Sequence, residues 1–226
     1  MPLKRERVEH AMLHVLGFTL NELKEIMPKA GLKPFRAKQL WEWVHVKGEL
    51  NLDNMTNFSA SDRAKLAEFF QFGEPEISVQ QKATDGVVKW LFKLHDGHEV
   101  ETVYIPEDTR GTLCISSQVG CTLTCRFCHT GTQGLSRNLE VFEIVQQLHQ
   151  ARKQLEDFRG RHQKRDVTNI VLMGMGEPLY NYDNVKKAMK IVMDDAGQGF
   201  GTRKITLSTS GVVPHIPDIS EDLESK

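Results

Sequence analysis

The run Cys121-Thr-Leu-Thr-Cys125-Arg-Phe-Cys128 places three thiols at a C-x3-C-x2-C spacing on one short stretch. Three thiolates on a tight loop can hold three irons of a cubane and leave the fourth iron open to a substrate. A fully ligated ferredoxin cluster needs a fourth cysteine, and the bacterial ferredoxin run has a different spacing followed by proline. Structural zinc is a competing reading, because His129 would complete a Cys3His set, although adjacent ligands such as Cys128 and His129 point in divergent directions. A cluster that only transfers electrons is the third reading. All four cysteines of the chain lie between residues 114 and 128, which argues against a disulfide framework spread over the fold. In a reducing compartment such crowding reads as metal or redox chemistry.

A second constellation is Met173-Gly174-Met175-Gly176-Glu177-Pro178. Glycines there let backbone approach a ligand closely, and a carboxylate can pair with an ammonium group. By itself this is equally a turn with an exposed glutamate. About 45 residues after a three-cysteine loop with Phe127 before its last thiol, it is the expected partner of a [4Fe-4S] cluster that reductively cleaves S-adenosylmethionine, and that reading is favoured over zinc.

These loops need elements to hold them. Thr19 to Glu22 forms a capping box ahead of Leu20, Leu23 and Ile26. A second helix is expected after Pro34 through Leu40, Trp41, Trp43 and Val44, and a third after Ser59 with Leu66, Phe69 and Phe70 buried. From Glu76 to Ile105 the period falls toward two, and Asp85-Gly86 and Asp96-Gly97 separate three expected strands at 76–83, 87–95 and 98–105, joined by primed turns. The pattern then alternates: strand 111–117, helix 139–156 with Val141, Ile144, Val145 and Leu148 on one face, strand 168–173, helix 183–196 and strand 203–208. That is βαβαβ, with parallel strands and helical crossovers.

Composition excludes other classes. A chain of 226 residues with 39% hydrophobic content fits a globular protein. Met1 to Arg7 lacks the apolar core of a secretory signal and no apolar stretch is long enough to span a bilayer, so a cytoplasmic protein with no membrane association is expected. A net charge of -1 gives no general argument for nucleic acid, although residues 1 to 50 carry nine Lys/Arg against six Asp/Glu. The basic run Arg159 to Arg165 reads as a solvated loop.

The stretches Glu101-Thr-Val-Tyr-Ile-Pro106, Thr112-Leu-Cys114-Ile-Ser-Ser-Gln-Val-Gly-Cys121, Cys125-Arg-Phe-Cys128, Arg137-Asn138-Leu139, Gly174-Met-Gly-Glu-Pro178 and Thr206-Leu-Ser-Thr-Ser-Gly-Val-Val-Pro214 resemble the RlmN-type radical S-adenosylmethionine adenine-C2 RNA methyltransferases. The likeness covers essentially the whole chain, including Pro34-Phe35-Arg36-Ala37. It implies an α/β fold: the first three strands of a (β/α)6 partial barrel (residues 109–226), preceded by a helical RNA-binding-like domain (1–72) and a β-meander connector (73–108).

The resemblance further implies methylation of C2 of adenosine in 23S rRNA and at position 37 of tRNA through a methylcysteine. Cys121, Cys125 and Cys128 would hold the [4Fe-4S] cluster. Gly176, Glu177 and Ser208 would contact S-adenosylmethionine, with Glu177 at its amino group. Glu101 would accept a proton, and Cys114 would release the product as a disulfide. An electron donor such as flavodoxin and a monomeric full-length state are implied too. Taken alone, Cys114 is as readily a small buried hydrophobe. Phe35, Arg36, Lys38, Trp41 and Trp43 could face RNA, with core packing the stronger reading for the tryptophans.

The family's methyl-carrying cysteine has no counterpart here, since no cysteine follows Cys128. The expectation is therefore a fragment, or a truncated product unable to complete methyl transfer, with an adenine-C8 methylase of the Cfr type or a non-catalytic cluster- or RNA-binding remnant as the other readings.

Overall fold

The computed structural model describes residues 13–159 and 164–223. The leader position Met1 to Arg7, the middle of the basic run at 160–163 and the final residues 224–226 lie outside them.

Helix α1 (Leu20–Ile26) starts on the expected capping box: Glu22 N donates to Thr19 Oγ1 at 3.3 Å, and Thr19 N donates to the Glu22 carboxylate at 2.7 Å. Helix α2 (Arg36–Trp41) begins after Pro34 but is not regular to Val44, because Glu42–Val46 winds as one π-helical turn closed by Lys47 N on Glu42 O at 3.0 Å. The wider turn leaves His45 against Trp41, with ring centroids 4.0 Å apart. Trp41 is wholly buried, as core packing requires, whereas Trp43 donates to Asn57 Oδ1 at 2.6 Å under the Lys47 ammonium. Helix α3 (Ala60–Phe69), capped by Ser59, delivers Phe70–Gln71 to a short parallel pairing with Leu13–His14.

Six strands form one mixed sheet: β1 (Glu76–Lys82), β2 (Val88–Lys93), β3 (Glu99–Pro106), β4 (Gly111–Cys114), β5 (Asn169–Leu172) and β6 (Ile205–Leu207). Their spatial order is β6-β5-β4-β3-β2-β1, antiparallel from β1 to β4 and parallel from β4 to β6. The meander thus continues the parallel strands edge to edge, with Val103 opposite Cys114.

The two hairpins correct the expectation of primed turns. Gly86 N donates to Ala83 O and Ala83 N to Val87 O, and the second hairpin repeats this with Gly97 on Leu94 and Leu94 on His98. Only the glycine of each pair has positive φ, +89° and +86°. These are type I turns closed by a glycine bulge, and the Asp85 and Asp96 carboxylates favour them by accepting the amide two residues on.

The sheet has two different faces. Val88, Trp90, Phe92, Val100, Thr102, Tyr104, Leu113, Ile170 and Leu172 alternate into a core beneath α4 (Val141–Gln154) and α5 (Tyr182–Met193). Gln147 of α4 accepts from Thr102 Oγ1 at 2.9 Å and Ser116 N at 2.7 Å, fixing that helix to β3 and to the chain leaving β4. The opposite face carries Lys89, Glu101, Val103, Cys114, Val171 and Met173, half-buried or exposed.

The helical region docks on α4, where His14 stacks on Phe142 at 4.6 Å and Gln146 Nε2 reaches Gly73 O at 2.7 Å. Deeper in this joint, His45 and His149 are both almost fully buried; the His45 ring has no hydrogen-bond partner among the described residues, and the Val44 backbone only partly offsets the burial of His149. Burial pulls both imidazoles down to about 3.

The unfolded chain therefore takes up protons below about pH 6.5 that the folded chain refuses, so stability is full above that pH and falls as pH drops toward 3. At pH 5 the loss is on the order of 2 kcal/mol per imidazole. Thermal melts should show a lower Tm at pH 5 than at pH 7.5, and His149→Leu should flatten that difference.

Candidate functional site

Beyond β4 and β5 the two chains stay side by side. Ile115 N donates to Val171 O at 3.0 Å, Gly174 N to Ile115 O at 3.1 Å and Ser117 N to Met175 O at 2.8 Å, while Met175 N reaches Ser116 Oγ at 2.9 Å. The approach admits no side chain: a Cβ on Gly174 would lie 2.6 Å from Ser116 Oγ, and one on Gly176 2.5 Å from Gln118 Cβ. Gly176 also has φ +99°, which L side chains rarely adopt. What these two glycines admit is the neighbouring segment.

That segment runs directly into the cysteine loop. Gly120, at φ +76°, packs on the Gly134 carbonyl, and Cys121 N donates to the same oxygen at 3.2 Å. Cys128 N closes on Cys125 O at 3.0 Å, and a Cβ on Gly131 would come within 2.8 Å of that carbonyl. The three thiols are thus carried by one tight loop and, like Cys114, are free. Backbone amides point at sulfur: Leu123 N reaches Cys121 Sγ at 3.4 Å, and the Gly131 amide, then Thr130, hold Cys128 below the usual thiol range. Among the described residues no three His, Cys, Asp or Glu side chains converge closely enough to hold a metal ion. The three Cys side chains therefore share a loop without being drawn together. Free soft thiols with amide donors to sulfur are the donor set that suits an iron–sulfur cluster.

Glu177, buried to 3%, ends the second loop. Its carboxylate accepts from Leu179 N at 3.1 Å, Ser210 N at 2.8 Å and Ser210 Oγ at 2.9 Å, joining the end of β5 to the loop after β6. Ser208, singled out from sequence, follows β6 in that loop, but Ser210 makes the bond to Glu177. Ser210 gave no sequence signal, because Thr-Ser-Gly carries no pattern that separates its serine from the one two residues earlier.

Cys114 lies on the open face beside Val171, and Glu101 lies on the same face of β3, its backbone carbonyl accepting from Ser116 Oγ at 2.7 Å. Burial pushes the Cys114 thiol up, more than the Met173 amide lowers it, and the Glu101 charge adds to the rise. Lys89 of β2 reaches the Glu101 carboxylate at 3.2 Å. Cys114 and Glu101 are therefore neighbours, with Met173 and Met175 between them and the Glu177 loop; Glu101 N lies 3.4 Å from Met175 Sδ. A cavity of about 580 Å³ lies elsewhere, between the helical region and the meander around His14, Gly73, Lys93 and Gln146, and includes none of these residues.

The sequence matches two family profiles, the ribosomal RNA large subunit methyltransferase N-terminal domain over residues 13–72 and the radical SAM superfamily over residues 115–225. It is 53% identical over 213 residues to the dual-specificity RNA methyltransferase RlmN of Magnetococcus marinus, covering 94% of this chain and 58% of that protein. It is 53% identical over 207 residues to the RlmN of Rhodospirillum rubrum, covering 91% and 48%. The chain thus spans roughly half the length of these relatives. The fold resembles a crystal structure of a radical SAM methyltransferase from Sphaerobacter thermophilus, with a TM-score of 0.85, 36% identity, and coverage of 92% of this chain and 60% of that one.

The thiols should react unequally in the metal-free chain. At pH 7.5 Cys128, with its lowered pKa, should alkylate with iodoacetamide faster than Cys114, whose pKa is raised by burial, since the thiolate is the nucleophile. Peptide mass spectrometry over a time course measures the order.

Proposed function

Over the part of the family's length that it spans, the chain belongs to the RlmN family of RNA methyltransferases, and on that premise we propose that it binds a [4Fe-4S] cluster and S-adenosylmethionine and serves methylation of adenosine C2 in 23S rRNA and tRNA. The observation that carries this reading is the direct continuity of three things: the cysteine loop, the Glu177 loop hydrogen-bonded beside it, and the Cys114–Glu101 pair on the same sheet face.

Cys121, Cys125 and Cys128 would hold the cluster, which when bound supplies the electron that cleaves S-adenosylmethionine reductively. Gly176, Glu177 and Ser208 would receive the methionyl part, Glu177 offering its carboxylate to the amino group at the cost of exchanging its bonds to Ser210. The methyl group would travel on a cysteine outside residues 1–226. Glu101 would take the proton lost from C2, and Cys114 would attack the carrier sulfur, so that a disulfide forms as the sulfur–carbon bond to the product breaks and the released carbon takes up a proton. A thiol held above its usual range stays protonated until that step, and Lys89 steadies the carboxylate beside it.

Residues 1–72 would approach RNA through the rim that carries Phe35, 57% exposed, and Lys38. Reducing equivalents would come from a donor such as flavodoxin in the cytoplasm. No helix among the described residues is long and apolar enough to cross a membrane.

Anaerobic reconstitution should give about four irons per chain, abolished by Cys121→Ala, Cys125→Ala or Cys128→Ala and retained by Cys114→Ala. With dithionite and S-adenosylmethionine the reconstituted chain should form 5'-deoxyadenosine, read by chromatography. Loss of iron in Cys114→Ala, or iron retained in Cys125→Ala, overturns the assignment.

A further inference from the structure

Gln118 lies three residues before Cys121 and is wholly buried. Its side-chain amide makes more connections than its size suggests. Oε1 accepts from Glu177 N at 2.9 Å and from Thr122 N at 3.4 Å; Nε2 donates to Asn138 Oδ1 at 2.7 Å and to Thr122 Oγ1 at 3.0 Å. The orientation of the amide is fixed from outside. Asn138 uses its own Nδ2 on Tyr180 O at 3.1 Å, so its oxygen faces Gln118, and the Glu177 amide can only donate. One side chain therefore touches three segments: Thr122 inside the cysteine loop, the backbone of Glu177, and the Arg137–Asn138 strand that pairs with Gln118–Val119. Gly176 packs on its Cβ.

We infer that Gln118 is a positioning residue that sets the separation between the thiolate loop and the Glu177 loop, and hence the seat of S-adenosylmethionine against the cluster. The inference rests on the function proposed above. Two groups of ligands on different loops must meet one small molecule, and neither loop is rigid by regular secondary structure. A buried amide with donors and acceptors satisfied on both sides fixes such a distance, because moving either loop leaves polar groups unpaired in the interior. The unmatched alternative, a residue that merely fills space, would be served equally by an apolar side chain of the same length.

Gln118→Met keeps volume and removes every one of these bonds. It should retain the full iron content, since all three cysteines remain, but bind S-adenosylmethionine about tenfold or more weakly by equilibrium dialysis. It should also lose much of the change that S-adenosylmethionine produces in the electron paramagnetic resonance spectrum of the reduced cluster. Gln146→Met, which removes a buried amide from the joint between the helical region and α4, is the control: it should lower Tm and leave affinity and spectrum alone.

In the metal-free chain, hydrogen exchange should quicken at both residues 121–125 and 176–179 in Gln118→Met. If wild type takes up no iron, the proposed function fails while the exchange result still decides the role of Gln118. If wild type shows the spectral change and Gln118→Met shows it undiminished, or if only one loop quickens, the role of Gln118 is overturned.

Discussion

The site depends on how closely two chains run past the ends of β4 and β5. Ile115–Gln118 and Met173–Glu177 continue the parallel ladder after regular pairing stops, and the contact is so tight that Gly174 and Gly176 have no room for a Cβ. Hydrogen bonding and excluded volume act together here. The ladder brings the backbones to pairing distance, and the glycines remove the only atoms that would hold them apart. Because the cysteine loop leaves from one of these chains and the Glu177 carboxylate from the other, the sheet starts the two loops side by side, and Gln118 links them beyond it.

The sheet also separates stability from chemistry. Its covered face is sealed by apolar side chains from β2 to β5 against α4 and α5, and Thr102 and Gln147, polar groups admitted there, satisfy each other. The open face holds the groups that can change protonation or redox state. A thiol such as Cys114 can lie there half-buried, shifted by its surroundings, without costing the core anything. Antiparallel pairing of β3 with β4 matters to this arrangement, because it puts Glu101 level with the chain leaving β4 and one step closer than Cys114 to the cysteine loop.

The helical region is held to this framework by a joint of a different character. His14 against Phe142, Gln146 on Gly73, and Lys187 paired with Glu22 at 2.7 Å bind its rim, while His45 and His149 are confined inside it. Near the start of α4, Glu143 is buried to 1% and takes both terminal nitrogens of Arg137, which also pairs with Asp96 of the second hairpin. The meander, the strand after the cysteine loop and α4 thus share one charge network. Such a buried carboxylate is tolerable only because the guanidinium is bidentate and the Glu140 amide supplies a further donor.

The amino-acid sequence by itself determined the features with short-range causes. The capping box at Thr19 and Glu22, the three-cysteine spacing, the alternation of β2 and β3, and the βαβαβ order are each set by neighbours within a few residues, and each was legible. It also singled out Cys121, Cys125, Cys128 and Glu177 as candidates, the thiols by their spacing and Glu177 by its distance from them. Local signals misled where two turn forms share one composition: Asp-Gly suits a primed turn and a bulged type I turn alike, and the strand register chose the latter. Tertiary structure alone decided that Ser210 bonds Glu177, that Lys89 meets Glu101, that His45 is enclosed, and that Gln118 spans both loops. The partners in those contacts are separated along the chain by many residues, or are backbone groups that every residue possesses. No pattern of residue types can encode which of them will meet until the sheet has brought them side by side.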